Sequence, residues 1–454
     1  MVKTLEPMTT GSISKRMIAF ALPLLLGNLF QQLYNTVDSL IVGNFLGSSA
    51  LAAVSSSGSL ISMLIGFLSG IASGAGVIVS RYFGANDEKD VCRAVHTMVA
   101  FGLVAGVLMG VVGVVFSPQI LVWMGTPDSV MPESVAYLQI YFFGSLGFVM
   151  YNIFVGILQA VGDSRHPLYY LMVSSVVNLV LDLLLIAGFH TGVGGAALAT
   201  VVSQLISAAL CFAQLLRTRA SYRIRLSQIR FDFKMLRQIV QIGLPSGVQN
   251  SIISFANVIV QSHINAFGAM AMAGYGAYSK IEGFAFLPIN SFTMAMTTFV
   301  GQNLGAGQKD RTRRGARFGI LTTVLLAELI GVVVFLLAPQ LVAAFDSNPE
   351  VIRFGVEKAR TAALFYCLLA YSHSMASVLR GAGKAVVPML IMMTFWCVVR
   401  VTFLSISIPM THSIQMVYLV YPLTWSLSSI AFFFYYKKAN WMDLTDAGGA
   451  KQAG

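Results

Sequence analysis

Apolar stretches of about 20 residues or more recur along this chain of 454 residues, and they constrain its fold more than any other feature. In a helix, each stretch is long enough to cross a hydrocarbon core of about 30 Å. With 56% hydrophobic and only 10% charged residues, the chain is too apolar for a soluble protein of this length. We therefore expect an all-α polytopic membrane protein.

We count about twelve such stretches and predict one transmembrane helix for each. The polar first sixteen residues lead into an apolar run that is too long for a signal-peptide core, so no cleavable signal peptide is expected. The approximate spans are 16–43, 51–79, 94–116, 133–160, 167–189, 195–217, 237–265, 271–300, 316–338, 355–380, 387–408 and 415–436.

The net charge of +11 follows from topology rather than from nucleic-acid binding. Almost every Lys and Arg falls in alternate loops, and basic loops stay in the cytoplasm. Both termini are therefore predicted to be cytoplasmic. The opposite loops, around Gly47, Thr191 and Thr411 for example, contain almost no fixed positive charge, with Arg353 and Lys358 as the main exceptions.

The chain contains an internal duplication. The segment "FGANDEKD" at 83–90 resembles "LGAGQKD" at 304–310, and Gly84 and Gly305 are 221 positions apart. A constant offset over a long distance indicates a repeat. The same offset relates Asn44 to Asn265, Arg93 to Arg314, Gly162 to Gly383 and Pro167 to Pro388.

Each repeat has about six helices, an even number, so both repeats enter the membrane from the same side. The sequence thus predicts two parallel six-helix repeats, an arrangement found in transporters. We predict an amino-terminal lobe at 1–217, a cytoplasmic basic linker at 218–236, and a carboxy-terminal lobe with a short tail at 237–454.

Asp38 is unusual because it lies inside an apolar run, "LYNTVDSLIVG" at 33–43. A charged side chain at membrane depth costs at least ~2.5–3.5 kcal/mol, so it is usually functional or paired, although Asp38 could also reach water at a helix end. Counting from the outer helix ends places Asp38, Asp182 and Thr200 at a common depth of roughly 7–11 Å. Asn178 shares a helix face with Asp182, although Asn178 and Thr200 could simply form interhelical hydrogen bonds.

Two facing carboxylates in a poorly hydrated lobe disfavour a second ionisation, so Asp38 and Asp182 could carry a proton or bind Na⁺. Asn178 and Thr200 would complete a set of hard oxygen ligands. We expect this site to be asymmetric, because the second lobe lacks the carboxylates. The repeat-equivalent residues are Val260, which requires a one-residue adjustment of the offset in the first helix, and Val399, Phe403 and Tyr421 at the constant offset.

The second lobe has its own charges within predicted helices: Lys280, Glu282, Glu328 and Arg400. We expect these charges to be buried. They form either a structural ion-pair set or part of a substrate cavity, and the sequence does not distinguish the two. Tyr34 is a further candidate for the substrate cavity.

Several stretches resemble multidrug and toxic compound extrusion (MATE) transporters, and the likeness covers nearly the whole chain. They include "ALPLLLGNLFQQLYNTVDSLIVGNFLG" at 21–47, its repeat "GLPSGVQNSIISFANVIVQSHINAFG" at 243–268, and "SKIEGFAFLPINSFTMAMTTFVGQNLGAG" at 279–307. Two shorter stretches, "LQAVGDSRHP" at 158–167 and "LRGAGKAVVP" at 379–388, complete the likeness.

The resemblance implies export of amphipathic, cationic small molecules in exchange for H⁺ or Na⁺, in the inner membrane of a prokaryotic cell. The acidic set matches the branch of the family whose coupling site lies in the amino-terminal lobe, with possible Na⁺ ligands at Asp38, Asn178, Asp182 and Thr200. We expect a monomer in contact with membrane lipids.

No cofactor or enzymatic activity is predicted. The segment "GAGK" at 381–384 lacks the upstream Gly and the following Ser or Thr of a phosphate-binding loop, and no HExxH or GxSxG motif occurs. Two alternatives to drug export stay open. A lipid-linked saccharide flippase belongs to the same broad superfamily, whereas a channel or receptor would need a pore-lining charge repeat or a sizeable exposed domain.

Overall fold

The computed structural model describes residues 7–124 and 126–443, and their regular secondary structure is entirely helical. Short 3₁₀ segments occur at Leu226–Gln228 and Ala363–Phe365, and π-helical segments at Leu183–Gly188 and Met393–Val399. The α-helices are α1 (Ile13–Gly84), α2 (Glu88–Trp123), α3 (Met131–Phe143), α4 (Ser145–Ala160), α5 (Arg165–Asp182), α6 (Val193–Arg217), α7 (Phe233–Asn265), α8 (Ala269–Gly305), α9 (Lys309–Ala343), α10 (Pro349–Ala362), α11 (Tyr366–Gly381), α12 (Val386–Met392), α13 (Arg400–Thr411) and α14 (Gln415–Lys438).

The predicted number of membrane spans agrees with the structure. Within the described residues, ten helical segments are long and apolar enough to cross a membrane, and α3 with α4, bent by 49° at their junction, gives an eleventh. Helix α7 is the remaining predicted span and is not among these eleven. The prediction of an all-α polytopic membrane protein with about twelve helices is confirmed.

Helix α1 differs from the prediction of two helices separated by a loop around Gly47, because its backbone is helical from Ile13 to Gly84. The segment just before its start and the last residue of the helix nevertheless both meet Gln302: the Met8 amide donates to Gln302 Oε1 at 2.8 Å, and Gly84 packs against the Gln302 carbonyl. A straight helix of this length would separate its ends by about 108 Å. The chain therefore reverses direction inside α1, between its two apolar spans.

The two repeats share local backbone features. Asn86 and Gly307, which are 221 positions apart, both have positive φ, at 54° and 71°. Gly162 and Gly383, with the same separation, have φ of 93° and 83°. Equivalent loops therefore turn in the same way in both halves, and the two six-helix repeats are real structural units. The boundaries of the lobes and of the linker at 218–236 stay a prediction.

The repeats contact each other through a pair of hydrogen bonds whose donors are repeat-equivalent and whose acceptors differ from equivalence by one residue. Gln302 Nε2 donates to the Ala160 carbonyl at 2.8 Å, and Arg81 Nη2 donates to the Ala382 carbonyl at 3.3 Å. Arg81 and Gln302 are themselves 221 positions apart. These bonds lie at the face where α1, α4, α8 and α11 end. We call it the basic face, because it also carries most of the Lys and Arg residues.

Two glycines let the backbones of α1 and α8 touch at the basic face. A Cβ atom on Gly84 would lie 1.9 Å from the Gln302 carbonyl oxygen, and one on Gly305 would lie 2.0 Å from that of Arg81. Either distance is a severe overlap, so only glycine allows this contact. The lobes are therefore closed against each other at the basic face.

Candidate functional site

Two carboxyl groups of the first lobe meet between α1 and α5. Asp38 lies within α1, and Asp182 is the last residue of α5 before its π-helical segment. The two groups are within hydrogen-bonding reach of each other. Asp182 is fully buried and Asp38 half-buried. The structure thus brings together the two acidic residues singled out in the sequence.

Asn178 links this carboxyl pair to α6. With the amide in the orientation that satisfies both of its neighbours, the side-chain nitrogen donates to Asp182 Oδ2 at 2.8 Å and the amide oxygen accepts from the Thr200 backbone N–H at 3.2 Å. Asn178 and Asp182 point the same way because they are one helical turn apart. All four residues predicted for the ion site therefore lie side by side, and Asn178 orients one of the two carboxyl groups.

Three tyrosines surround the carboxyl pair. Tyr34 lies one turn before Asp38, and its hydroxyl faces the Thr200 side chain. Tyr137 and Tyr141 on α3 are buried nearby, with ring centroids 6.4 Å apart and planes 20° from parallel. Sequence analysis missed these two α3 tyrosines. Their spacing of four residues was the only signal, and it is common among residues that only pack.

The carboxyl pair needs a positive partner. Oδ1 of Asp38 and Oδ1 of Asp182 have no hydrogen-bond partner in the described part of the chain. Ionised carboxylates only accept hydrogen bonds, so two of them cannot bond to each other, and a buried unpaired acceptor costs about 1–3 kcal/mol or more. A shared proton supplies a donor, and a small hard cation would find oxygen ligands. The arrangement suits either H⁺ or Na⁺.

Two lysines of the second lobe lie differently from the prediction. Lys280 is exposed, because its two-residue spacing from Glu282 places it on another face of α8. Lys358, which the sequence assigned to an outer loop, is fully buried on α10. The expectation of a buried Lys280 is therefore wrong. The predicted span 355–380 includes Lys358, but the position of this lysine near the start of the span led to its assignment to the outer loop.

Glu282 belongs to a hydrogen-bonded chain of tyrosines. The Tyr278 hydroxyl donates to Glu282 Oε1 at 2.9 Å and lies 2.8 Å from the Tyr366 hydroxyl. Glu282 also interacts electrostatically with Lys358 and Arg400. It is therefore a counter-charge for these two buried cations.

Arg400 is held by neutral partners. Its Nη1 donates to Asn257 Oδ1 at 3.2 Å, its Nη2 donates to Thr424 Oγ1 at 3.1 Å, and its guanidinium lies 4.5 Å from the centroid of the Tyr421 ring. Only 2% of its surface is exposed. This fixed cation is thus part of the interior of the lobe rather than of an exposed surface.

Glu328 has a separate, structural role. Its Oε2 accepts a hydrogen bond from the Cys367 backbone N–H at 3.2 Å, where the 3₁₀ segment Ala363–Phe365 separates α10 from α11. The first N–H groups of a helix have no partner within the helix, so Glu328 caps α11 from a neighbouring helix.

We therefore predict that Glu328→Ala lowers the melting temperature by about 2–4 °C while transport per folded molecule is unchanged. Glu328→Gln, which keeps a carbonyl acceptor, is the control and should lose less stability. Thermal unfolding in detergent and transport at matched protein amounts would check this. A loss of transport in Glu328→Gln at normal stability would contradict a purely structural role.

The structure also corrects the repeat-equivalent positions of the ion site. The π-helical segment Met393–Val399 inserts one residue before α13, so the offset changes from 221 to 222 there. Asn178 then corresponds to Arg400, and Asp182 to Leu404, instead of the predicted Val399 and Phe403. All four residues of these two corrected pairs are buried, as equivalent positions should be.

In the described part of the chain, eleven apolar helical spans and α7 form two parallel repeats with polar groups buried between the helices, and this arrangement defines a two-lobe membrane transporter. Within that class, the family is clear: the chain belongs to the MatE family, whose model matches residues 23–184 and 245–405, one match in each repeat. The resemblance to MATE transporters is thereby confirmed.

Relatives agree with this assignment, and a solved structure shares the fold. The chain is 28% identical to "Probable multidrug resistance protein YoeA" of Bacillus subtilis (strain 168), over 95% of this chain and 96% of the relative. It is 26% identical to "Probable multidrug resistance protein NorM" of Thermotoga maritima, over 84% and 82%. A solved "outward-facing conformation of a multidrug resistance MATE family transporter" has a TM-score of 0.88 at 22% identity, covering 94% of this chain and 96% of that one.

Proposed function

We propose that this protein is an antiporter that exports amphipathic, cationic compounds in exchange for H⁺ or Na⁺. It acts as a monomer in the inner membrane of a prokaryotic cell, with both termini in the cytoplasm. The observation that carries the proposal is the contact between the Asp38 and Asp182 carboxyl groups inside apolar helices. The names of the relatives, which are multidrug resistance proteins, support the substrate class.

The ion acts by biasing α1. An ion shifts a conformational equilibrium only if its affinity differs between the two states. Asp38 and Asp182 lie on different helices, so movement of α1 against α5 changes the distance between their oxygens and hence the ion affinity. Reciprocity then requires that substrate and ion weaken each other's binding by the same factor.

Transport in proteoliposomes tests the proposal. Purified protein is reconstituted with a fluorescent cationic substrate, and proton and sodium gradients are imposed separately at zero membrane potential. Uptake against the substrate gradient, driven by one of the two ions, is the expected result. A transport rate that depends on neither ion gradient but depends on the membrane potential would contradict antiport and favour the lipid-linked saccharide flippase.

The sidedness of the basic face gives a second test. Cysteines introduced at Arg223 or Lys309 should resist an impermeant thiol reagent in intact cells, whereas those at Thr191 or Thr411 should react. All four positions are exposed, so access depends only on the side of the membrane. The test uses a background without the four native cysteines. The reverse labelling pattern would overturn the topology.

A further inference from the structure

The ammonium group of Lys358 lies among four tyrosine rings. Its Nζ is 3.3 Å from the ring centroid of Tyr421, and 5.6, 5.9 and 6.0 Å from those of Tyr278, Tyr418 and Tyr275. Aromatic rings within about 6 Å of a cation attract it, and several of them together recognise ammonium ligands. These four rings, which we call the tyrosine cage, are therefore a cation-binding site by their chemistry.

The protein's own lysine fills this cage. Lys358 is 0% exposed, and in the described part of the chain its Nζ has no hydrogen-bond partner. A buried ammonium without an acceptor is costly unless other interactions compensate it. Here the tyrosine rings and the charge of Glu282 compensate it. The contacts that hold Lys358 are thus those that would hold an external ammonium ion.

The cage also occupies a specific place in the repeat. These residues lie outside the stretch where the π-helical segment changes the offset, so the offset of 221 applies to them. Lys358 then corresponds to Tyr137, and Tyr421 corresponds to Thr200. Tyr137 and Thr200 border the acidic pair of the first lobe, and the corrected equivalent of Asn178 is Arg400. The second lobe therefore has the cations Lys358 and Arg400 at the positions where the first lobe has Tyr137 and Asn178, which lie beside the two carboxyl groups.

We propose that Lys358 is a tethered cation that fills the tyrosine cage and excludes external cations from the second lobe. The cage itself binds small ammonium ions once the lysine side chain is removed. This inference goes beyond the proposed antiport, and it holds whichever ion the first lobe binds. Lys358 is thus a specificity-determining residue, because it leaves the external cation to the acidic pair of the first lobe.

Chemical rescue tests the proposal. Lys358→Ala removes the side chain beyond Cβ, and n-propylammonium has the size and charge of the missing part. We expect this amine to bind Lys358→Ala at least about tenfold more tightly than the unchanged protein, with a saturable rise in melting temperature. The measurements are calorimetric titration and thermal unfolding of the full chain in detergent.

Three controls make the result specific. n-Propanol, which has the same length without charge, should not bind, and the added change Tyr421→Leu should abolish amine binding. Lys309→Ala removes an exposed lysine that pairs with Asp443, and it should give no response. Equal effects of the amine on Lys358→Ala and the unchanged protein, or equal effects of amine and alcohol, would overturn the proposal.

Folding of Lys358→Ala is itself a readout. If this variant does not accumulate, it is expressed and purified with and without n-propylammonium, since a ligand of the folded cage stabilises the folded state by mass action. Recovery of folded protein only in the presence of the amine supports cation binding by the tyrosine cage. Failure to recover with the amine, while the similarly sized Lys358→Met folds, would mean that the lysine only fills space, and it would overturn the proposal.

Discussion

Asp182→Asn is expected to reduce ion-driven export by at least about 100-fold, and Asp38→Asn should do the same. Asparagine keeps the size of the side chain but cannot take up a proton or provide a charge. The remaining carboxyl group then loses its partner, so the ion no longer distinguishes the two states of α1. Export in proteoliposomes under the driving gradient, with protein amount and insertion matched, measures the loss.

Asp163→Asn is the matched control. Asp163 is another buried carboxylate of the same lobe, and its Oδ1 accepts from the backbone N–H groups of Arg165 and His166 at 3.2 Å, at the start of α5. Asparagine is a good helix cap, so export should persist in this variant. Normal ion-driven export in either Asp38→Asn or Asp182→Asn would show that the changed carboxylate is not the coupling group.

Gly84→Leu is expected to prevent closure at the basic face and so to stop export almost completely. Even the Cβ of the leucine would overlap the Gln302 carbonyl oxygen, at 1.9 Å. The Cβ is fixed by the backbone of α1 and the oxygen belongs to the backbone of α8, so only separation of the two helices relieves the overlap. Alternating access needs each face to close in turn. Spin labels at Ala85 and Ala306 should report longer distances in this variant, together with lost transport.

Gly276→Leu provides the comparison for this wedge. A Cβ on Gly276 has no neighbouring atom within 4 Å, although the residue lies on the same helix α8 as Gly305. Its label distances and its transport should stay close to those of the unchanged protein. Unchanged distances in Gly84→Leu would mean that the lobes separate elsewhere and that this glycine contact is not the closure.

The membrane made much of this fold predictable from the sequence. Because every backbone group must be hydrogen-bonded in lipid, long apolar runs become helices, and their number follows from counting. Asp38 was identifiable for the same reason, since a carboxylate in such a run needs an explanation. The conformation of the turn within α1 was harder to predict. The sequence around Gly47 suggested a loop, whereas the backbone there is helical.

The second lobe was harder to predict because its polar groups depend on tertiary packing. Lys280 lies on a strongly apolar helix and is exposed, whereas Lys358 lies on a polar helix and is buried. Composition alone cannot tell which face of a helix turns inward. The rings of the tyrosine cage lie on α8 and α14, and the lysine that fills it lies on α10, so no local sequence motif predicts the cage.

The single residue that the segment Met393–Val399 adds has an evolutionary consequence. One inserted residue rotates all later side chains of a helix by about 100° relative to the earlier ones. Arg400 consequently faces the interior, where Val399 would otherwise lie. The extra residue thus places a cation in the second lobe at the position where the first lobe has the amide of Asn178. Two copies of one helical bundle could diverge in chemistry without any change in their architecture.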